Sequence, residues 1–397
     1  MTSISGERDV RWRNSITRAL VPAAIVYAVL SGFRLPSRWA TTNLILDYHF
    51  GFTKRGLFGE LLDFLKAPPY PYEFLAAVAY GIFLASLGLL LYLFWKGRAV
   101  GGRSTLLFAA FFTSVGFVFL VHEVGYLDHV GLLIAVICLL TGPRYPGICI
   151  RLALCACGIL MHEAFMLMFL PVVLADTWLA TRSMGRVLTV AIPCLLLGAQ
   201  MGHYKAETPQ SAQIAYYNGK LSDSQVTEDA IEPLRLGLSD NLKVMTYYYH
   251  EAKYLRIFAA TMLVVAPLTA FYLWIVNSVL IDAGVRLPSR LIFMATGLSP
   301  FALNIVAWDE VRFITLAQVT SFLLVLSVTR RVGWRAIASP RLRELAVLAA
   351  AVIALSLSSE VPLFDGYAMQ KFPFTSDLRS LVKALSDSGP LMKAPAN

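Results

Sequence analysis

Long apolar stretches separated by short polar segments dominate the chain between residues 18 and 358. Such stretches are typical of helices that cross a bilayer, because a helix satisfies its own backbone hydrogen bonds in the hydrocarbon core. The predicted spans cover residues 18–33, 73–95, 105–121, 129–141, 147–161, 164–180, 187–202, 254–280, 291–306, 313–329 and 344–358. The predicted fold class is therefore all-α: one polytopic transmembrane helical bundle of about eleven spans, occupying residues 1–358. One large outer loop, 203–253, and a polar tail, 359–397, complete it.

Composition supports this interpretation. The chain is 57% hydrophobic and 15% charged, whereas soluble proteins are about 45–50% apolar and about 25% charged. The net charge of +9 does not indicate nucleic-acid binding, because the basic residues are dispersed around the apolar segments. The five cysteines lie in or beside apolar runs without CxxC spacing, so we expect packing residues and no structural disulfide.

The arginines and lysines predict the orientation, since cytoplasmic loops are enriched in both. The N-terminus is placed in the cytoplasm, and alternation of the spans then puts most short basic loops on the same side. The basic residues assigned to the inside are Arg8, Arg11, Arg13, Arg18, Lys96, Arg98, Arg103, Arg144, Arg151, Arg182, Arg186, Arg286, Arg290, Arg330, Arg331, Arg335, Arg341 and Arg343. The tail after residue 359 falls outside. This topology requires residues 147–180 to cross twice, with a turn near His162 and Glu163.

The same alternation predicts that the unusual ionisable residues share the outer face. They lie in the segments DYHFGFTKRGLFGELLDF, HEVGYLDH, MHEAF and AWDEVRF. The candidate site residues within them are Asp47, Lys54, Arg55, Glu123, Asp128, His162, Glu163, Asp309 and Arg312. Ionisable groups near membrane depth are costly and usually face a protein interior or a wet cavity, so we expect one functional site.

Each residue type suggests a role at such a site. Carboxylates act as general bases or bind Mg²⁺ or Mn²⁺, which makes Asp47, Glu123 and Asp128 the catalytic candidates, with Asp47 and Asp128 as metal ligands. Lys54, Arg55 and Arg312 carry the positive charge that a substrate phosphate requires. His162, Glu163 and Asp309 would support them. The tyrosines of the long loop offer flat faces for sugar rings.

Plainer interpretations stay open for every cluster. Asp47 and Arg55 would merely keep a loop solvated, and Asp128 would cap the next helix. Asp309 and Arg312, three residues apart, would form an ordinary intrahelical ion pair. The tyrosines at 247–249 would belong to an interfacial aromatic belt. His162 and Glu163 would form a turn at the interface, and no zinc-protease motif is present because HEAFM lacks the second histidine.

Two motifs resemble a known group of proteins. The pattern D-x-x-F-G-F-x-x-R-G-L-x-G at Asp47–Gly59 and the later D-x-x-R-F at Asp309–Phe313 resemble bacterial polytopic proteins of surface-polysaccharide gene clusters, which are similar to GT-C-type glycosyltransferases. The resemblance implies a catalytic carboxylate at Asp47 and a second acidic position at Glu123 or Asp128. Glu123 and Asp128 are five residues apart, which departs from the paired-acid spacing of that group.

The activity implied by the resemblance is transfer of a sugar from a polyprenyl-phosphate donor to a glycan or lipid-linked acceptor. The reaction would occur on the outer face of the bacterial inner membrane, during surface polysaccharide synthesis. Asp47 would accept the proton of the attacking hydroxyl, while Lys54, Arg55 or Arg312 stabilises the departing phosphate. Two alternatives remain: a polysaccharide polymerase or ligase of the O-antigen type, and a non-enzymatic transporter or flippase for a lipid-linked sugar. Transport ranks third, because the charges lie at one face and no internal repeat is evident.

Overall fold

The computed structural model describes residues 19–97, 101–250, 252–307 and 309–359, together with 379, 381 and 382. Within these residues the protein is all-helical without strands, as the sequence predicts. The α-helices are α1 (Ala19–Gly32), α2 (Arg38–Ile45), α3 (Gly56–Leu65), α4 (Tyr72–Gly97), α5 (Gly102–Phe112), α6 (Val115–His122), α7 (Asp128–Leu140), α8 (Tyr145–Met161), α9 (Phe165–Met168), α10 (Leu170–Thr181), α11 (Met184–His203), α12 (Gln210–Gly219), α13 (Glu228–Ile231), α14 (Leu238–Tyr248), α15 (Ala252–Asp282), α16 (Leu287–Gly297), α17 (Glu310–Val332) and α18 (Leu345–Ser358). Short 3-10 helices cover Glu232–Leu234, Ser299–Ile305, Trp334–Ala338 and Pro340–Leu342.

Several of these helices could span a membrane. In the described part of the chain, four are long and apolar enough: α4, α11, the Leu255–Asp282 part of α15, and α17. The pair α5 and α6 passes the same test together but bends by 51°, so it is a broken span or a re-entrant loop. The apolar helices α1, α7, α8 and α10 are shorter than the roughly 20 residues that a bilayer requires. Each of the eleven predicted stretches coincides with a helix or with two consecutive helices. Only four of these stretches, or five with the bent pair, are candidate membrane spans in the described part of the chain.

Helix α17 forms the centre of the bundle. Its most apolar window is completely buried, and the helix packs against α6, α10, α15 and α16. The corresponding windows of α4, α11 and α15 are less than half buried. Exposed apolar side chains such as Leu196 and Leu263 lie on these outer helices. This division is expected of a bundle whose outer helices face lipid.

Residues 203–253 are more ordered than the single loop that the sequence predicts. They contain α12, α13 and α14, whose mainly polar sequences give no apolar pattern long enough to indicate helices. The segment is docked onto residues 33–71, between α1 and α4, which we call the first outer segment after the face that the sequence predicts for it. Two backbone hydrogen bonds join them: Tyr70 N donates to Lys220 O at 2.7 Å, and Ser222 N donates to Tyr70 O at 3.1 Å. Further along, Thr227 N donates to the Thr42 hydroxyl at 3.1 Å.

A buried ion cluster joins α8, α10 and α17 at the end of the bundle that the sequence assigns to the cytoplasm. Asp176 Oδ2 accepts hydrogen bonds from Arg151 at 2.7 Å and from Arg331 at 2.5 Å. Asp176 Oδ1 accepts from Arg331 Nε at 2.9 Å and from the Ser327 hydroxyl at 2.8 Å. Arg151 and Asp176 are fully buried. The cluster ties three helix ends together around one carboxylate.

Candidate functional site

A second ion cluster is centred on Arg312, at the opposite end of α17. Arg312 and Arg331 are 19 residues apart, which is about 28 Å along a helix and close to the ~30 Å thickness of a hydrocarbon core. Arg312 binds Asp128 through two parallel hydrogen bonds, from Nε at 2.6 Å and from Nη2 at 2.8 Å. Its Nη1 donates to Asp309 Oδ2 at 3.0 Å. The predicted intrahelical pair of Asp309 and Arg312 is therefore present, but Arg312 also binds a carboxylate 184 positions away in the chain.

His162 and Glu163 extend this cluster to the first outer segment. Arg312 Nη2 lies 2.8 Å from His162 Nε2, which accepts this hydrogen bond in the neutral tautomer that carries its proton on Nδ1. Nδ1 then donates to Glu163 Oε2 at 3.3 Å. Glu163 accepts two hydrogen bonds from Arg55, at 2.8 and 3.2 Å, and Arg55 Nη1 donates to Asn43 at 3.1 Å. We call Arg55, Asp128, His162, Glu163, Asp309 and Arg312 the outer network, after the face that the sequence predicts for them.

Helix ends bring the outer network together. Asp128 is the first residue of α7, His162 directly follows α8, Asp309 precedes α17 and Arg55 precedes α3. Arg55 has a φ of +64°, a left-handed backbone conformation that is uncommon for a residue other than glycine. Such a conformation is found mainly where the surrounding structure enforces it, often at functional sites. The sequence predicts these residue types at one face, and the structure brings six of the nine candidate site residues into one hydrogen-bonded network.

The carboxylates of the outer network differ in their protonation chemistry. For Glu163, burial opposes ionisation, but Arg55 and His162 together outweigh it and hold the pKa well below its ordinary value. For Asp309, burial raises the pKa, and the guanidinium of Arg312 offsets only part of that rise. The Asp309 side chain is 14% exposed. Asp309 thus combines access to solvent with a carboxylate that binds a proton more readily than usual.

Asp47 has different hydrogen-bond partners from Arg312 and belongs to a separate cluster. Asp47 Oδ2 accepts hydrogen bonds from Lys220 Nζ at 2.5 Å and from the Tyr216 hydroxyl at 2.7 Å. Oδ1 accepts from the Tyr217 hydroxyl at 3.3 Å and from the backbone N–H of His49 at 3.1 Å. Four donors therefore surround a carboxylate that is only 2% exposed, which makes it a poor acceptor for a substrate proton.

Lys54 is also committed to the protein. Its ammonium donates to the backbone carbonyl oxygens of Pro233 and Leu236, in the docked segment 203–253. Burial lowers the pKa of Lys54, and the nearby carboxylate of Glu163 opposes this shift. The predicted phosphate-binding role of Lys54 is not favoured by this geometry, because its side chain already connects the first outer segment to the long loop.

Glu123 is buried in the turn between α6 and α7, beside the outer network. Its side chain is 2% exposed. Burial raises its pKa to about 7, while Arg34, Tyr126 and Arg312 limit the rise. Glu123 is therefore a carboxyl group that gains or loses a proton near neutral pH.

Replacing Glu123 with glutamine should remove a pH dependence of stability. The pKa of Glu123 is higher in the folded state, about 7, than its ordinary 4.5. Folding therefore becomes less favourable as pH rises between these values, by up to about 3 kcal/mol. Thermal unfolding in detergent from pH 5 to pH 8 checks this. The wild type should lose stability relative to E123Q as pH rises, and two parallel curves would contradict the prediction.

The predicted Mg²⁺ or Mn²⁺ site at Asp47 and Asp128 does not fit these side chains. Both oxygens of Asp128 bind Arg312, and both oxygens of Asp47 are surrounded by other donors. No group of three or more His, Cys, Asp and Glu side chains that could hold a metal ion occurs among the described residues. The two proposed ligands belong to different clusters, and a cation already neutralises each of them.

Sequence reasoning missed the cationic and acidic partners that define these clusters. Lys220 lies in a polar stretch where a charged residue is unremarkable, and Asp63 lies in the mostly apolar helix α3 without any local sign of its partner. Asp176 was detectable, because it interrupts the apolar run LPVVLADTWLAT and an acid inside a predicted span usually has a partner. The pairing itself is tertiary and leaves no local pattern.

No family model matches the chain, and neither curated proteins nor solved structures provide a match. Support for a function therefore comes from the geometry of the outer network and from the two sequence motifs.

Proposed function

We propose that the chain is a membrane glycosyltransferase with a GT-C-like bundle of about eleven spans. It would move a sugar from a polyprenyl-phosphate donor to a glycan or lipid-linked acceptor at the outer face of the bacterial inner membrane. The observation that carries the proposal is the outer network, in which two arginines, three carboxylates and a histidine meet at one end of the bundle. An enzyme that cleaves a sugar–phosphate bond requires this combination of a base and positive charge.

Asp309 is the general base of this proposal. The acceptor oxygen attacks the anomeric carbon, its proton passes to a carboxylate oxygen of Asp309, and the bond from the anomeric carbon to the phosphate oxygen breaks. Asp309 Oδ2 binds Arg312, whereas Oδ1 receives no hydrogen bond within the part of the chain that the structure describes. The raised pKa of Asp309 favours proton uptake. Asp47, surrounded by four donors, has no comparable free oxygen.

Arg55 and Arg312 supply the positive charge for the departing phosphate. A guanidinium has five N–H groups, and Arg55 uses three of them in hydrogen bonds to described residues. In this scheme, the remaining two N–H groups would bind phosphate oxygens. Glu163, Asp128 and His162 hold the two guanidiniums in place, so they are positioning residues in this scheme. Attack on the face opposite the phosphate inverts the anomeric configuration.

A polysaccharide polymerase or ligase is the second candidate. Such enzymes rely on paired arginines in their outer loops, and His162 and Glu163 connect Arg55 and Arg312 in the outer network. The chemistry of attack and departure is the same for both candidates. They differ in whether the acceptor receives one sugar or a whole repeat unit.

Replacing Asp309 with asparagine should reduce sugar transfer by a hundredfold or more, within the range of about 10²–10⁴ for loss of a general base. The measurement is the composition and length of polysaccharide from cells in which the chromosomal copy carries D309N. D240N is the matched control, because Asp240 pairs with Lys205 on an exposed part of the long loop.

The product distinguishes the candidates. Loss of one sugar supports a transferase, and shortened chains with intact repeat units support a polymerase. Lipid-linked sugar that accumulates on the cytoplasmic leaflet indicates a flippase and contradicts both enzymatic proposals. Normal polysaccharide from D309N cells would show that Asp309 is not the base.

A further inference from the structure

The ammonium group of Lys220 lies between two carboxylates in the Asp47 cluster. Lys220 Nζ is 2.5 Å from Asp47 Oδ2 and 2.7 Å from Asp63 Oδ2. It also donates to the carbonyl oxygen of Ile45 at 3.4 Å. The residue is 4% exposed. The ammonium group of a lysine is a compact positive charge. At this position it is shielded from water.

Among the described residues, the hydrogen-bond acceptors of this ammonium are all oxygens: the two carboxylates and the Ile45 carbonyl group. The Tyr216 hydroxyl group donates to the same Asp47 Oδ2, and the centroid of its ring lies 5.6 Å from the ammonium. Oxygen ligands of this kind, two of them anionic, are the ligands that Mg²⁺, Mn²⁺ and Ca²⁺ prefer. We call this set the oxygen cage. In this protein the ammonium group of Lys220 occupies the cage.

The backbone on both sides of Lys220 is fixed. Its carbonyl oxygen accepts from Tyr70 N at 2.7 Å, and two residues later Ser222 N donates to Tyr70 O at 3.1 Å. Leu221 forms the bridge with Tyr70 between these two bonds. The hydroxyl group of Tyr70 in turn donates to Asp63 Oδ1. A lysine held in this way cannot leave the cage by a simple movement of an exposed loop.

We propose that Lys220 is a built-in cation that occupies the oxygen cage of Asp47 and Asp63 in place of a divalent metal ion. The sequence assigns Asp47 to a metal site, and the geometry assigns it to a lysine instead. The ammonium neutralises the buried carboxylate and joins α12 to the first outer segment. The cage therefore functions without a divalent ion.

The experiment measures Mn²⁺ binding to the full-length protein in detergent by electron paramagnetic resonance. The wild type should bind no Mn²⁺ that is sensitive to D63N. K220M removes the ammonium, leaves both carboxylates, and should acquire about one Mn²⁺ site per chain that D63N abolishes. Mn²⁺ should also raise the unfolding temperature of K220M but not that of the wild type. K205M is the control, because Lys205 forms an exposed pair with Asp240.

Two results would overturn the proposal. The first is a wild-type Mn²⁺ site that D63N removes, since the metal would then displace Lys220. The second is a folded K220M protein that binds no Mn²⁺, since the cage would then not be a cation site. If K220M does not fold without a divalent ion but folds with Mn²⁺, the proposal is supported. If it folds under neither condition, Mn²⁺ cannot take the place of the ammonium, which contradicts the proposal in the same way as the second result. These experiments measure Mn²⁺ binding and stability, so their results do not depend on the sugar transfer proposed above.

Discussion

Replacing Asp176 with asparagine should cost the protein about 3–5 kcal/mol of its folding free energy, the range observed when one partner of a buried ion pair is removed. Asp176 is fully buried and binds both Arg151 and Arg331. Without its charge, the guanidinium of Arg151 remains fully buried with no carboxylate among the described residues to balance it. Helices α8 and α17 lose the carboxylate that joins them to α10 in the same substitution.

Unfolding in mixed detergent micelles, followed by circular dichroism, measures this loss. D282N is the matched control, because Asp282 also accepts a hydrogen bond from an arginine, Arg341, but the Arg341 side chain is 56% exposed. Exposed pairs contribute less than about 1 kcal/mol. Equal losses for D176N and D282N would mean that the buried cluster does not hold the helices together.

Arg312 should give the second large effect. R312A leaves the buried carboxylate of Asp128 without the two hydrogen bonds that balance its charge, and the expected cost is again about 3–5 kcal/mol. The double variant R312A/D128N removes both charges, so it should be more stable than R312A alone. A double-mutant cycle should give a coupling energy of about 2–3 kcal/mol, at the upper end for residues in direct contact.

The pair of Lys205 and Asp240 provides the comparison for this cycle. It is a single short ion pair on an exposed part of the long loop, so its cycle should show no resolvable coupling. Additive effects of R312A and D128N would show that the two side chains do not stabilise each other. Loss of sugar transfer in R312A without loss of stability would assign Arg312 to catalysis alone.

The all-helical fold was predictable from the sequence and is confirmed, whereas the count of eleven spans stays a prediction. Apolar stretches are visible in the sequence because a helix that faces lipid or is buried in the bundle is apolar over most of its length. The count is harder, because α7 and α10 have only 13 and 12 residues. Helices of that length are shorter than a full span, and the apolar pattern alone does not distinguish a buried helix inside the bundle from part of a membrane crossing.

The candidate site was also predictable only in part. The residue types of the outer network were evident, because Asp128, His162 and Arg312 interrupt apolar segments. Their partners were not, because each hydrogen bond joins positions far apart in the chain. The bonds from Lys220 and Arg312 to their aspartates span 173 and 184 positions. Asp47 illustrates the result: the motif marks the residue, but only the tertiary structure shows that a lysine neutralises it.

The bend between α5 and α6 brings Gly116 against α17. The backbone N–H of Gly116, at the start of α6, donates to the side-chain oxygen of Gln318 at 2.8 Å. A Cβ atom at position 116 would lie 2.6 Å from that oxygen and 2.9 Å from the Thr315 carbonyl oxygen. A larger residue at position 116 therefore requires the side-chain amide of Gln318 to move away from α6. Homologous sequences should show covariation between these two positions, with glycine retained wherever glutamine is retained.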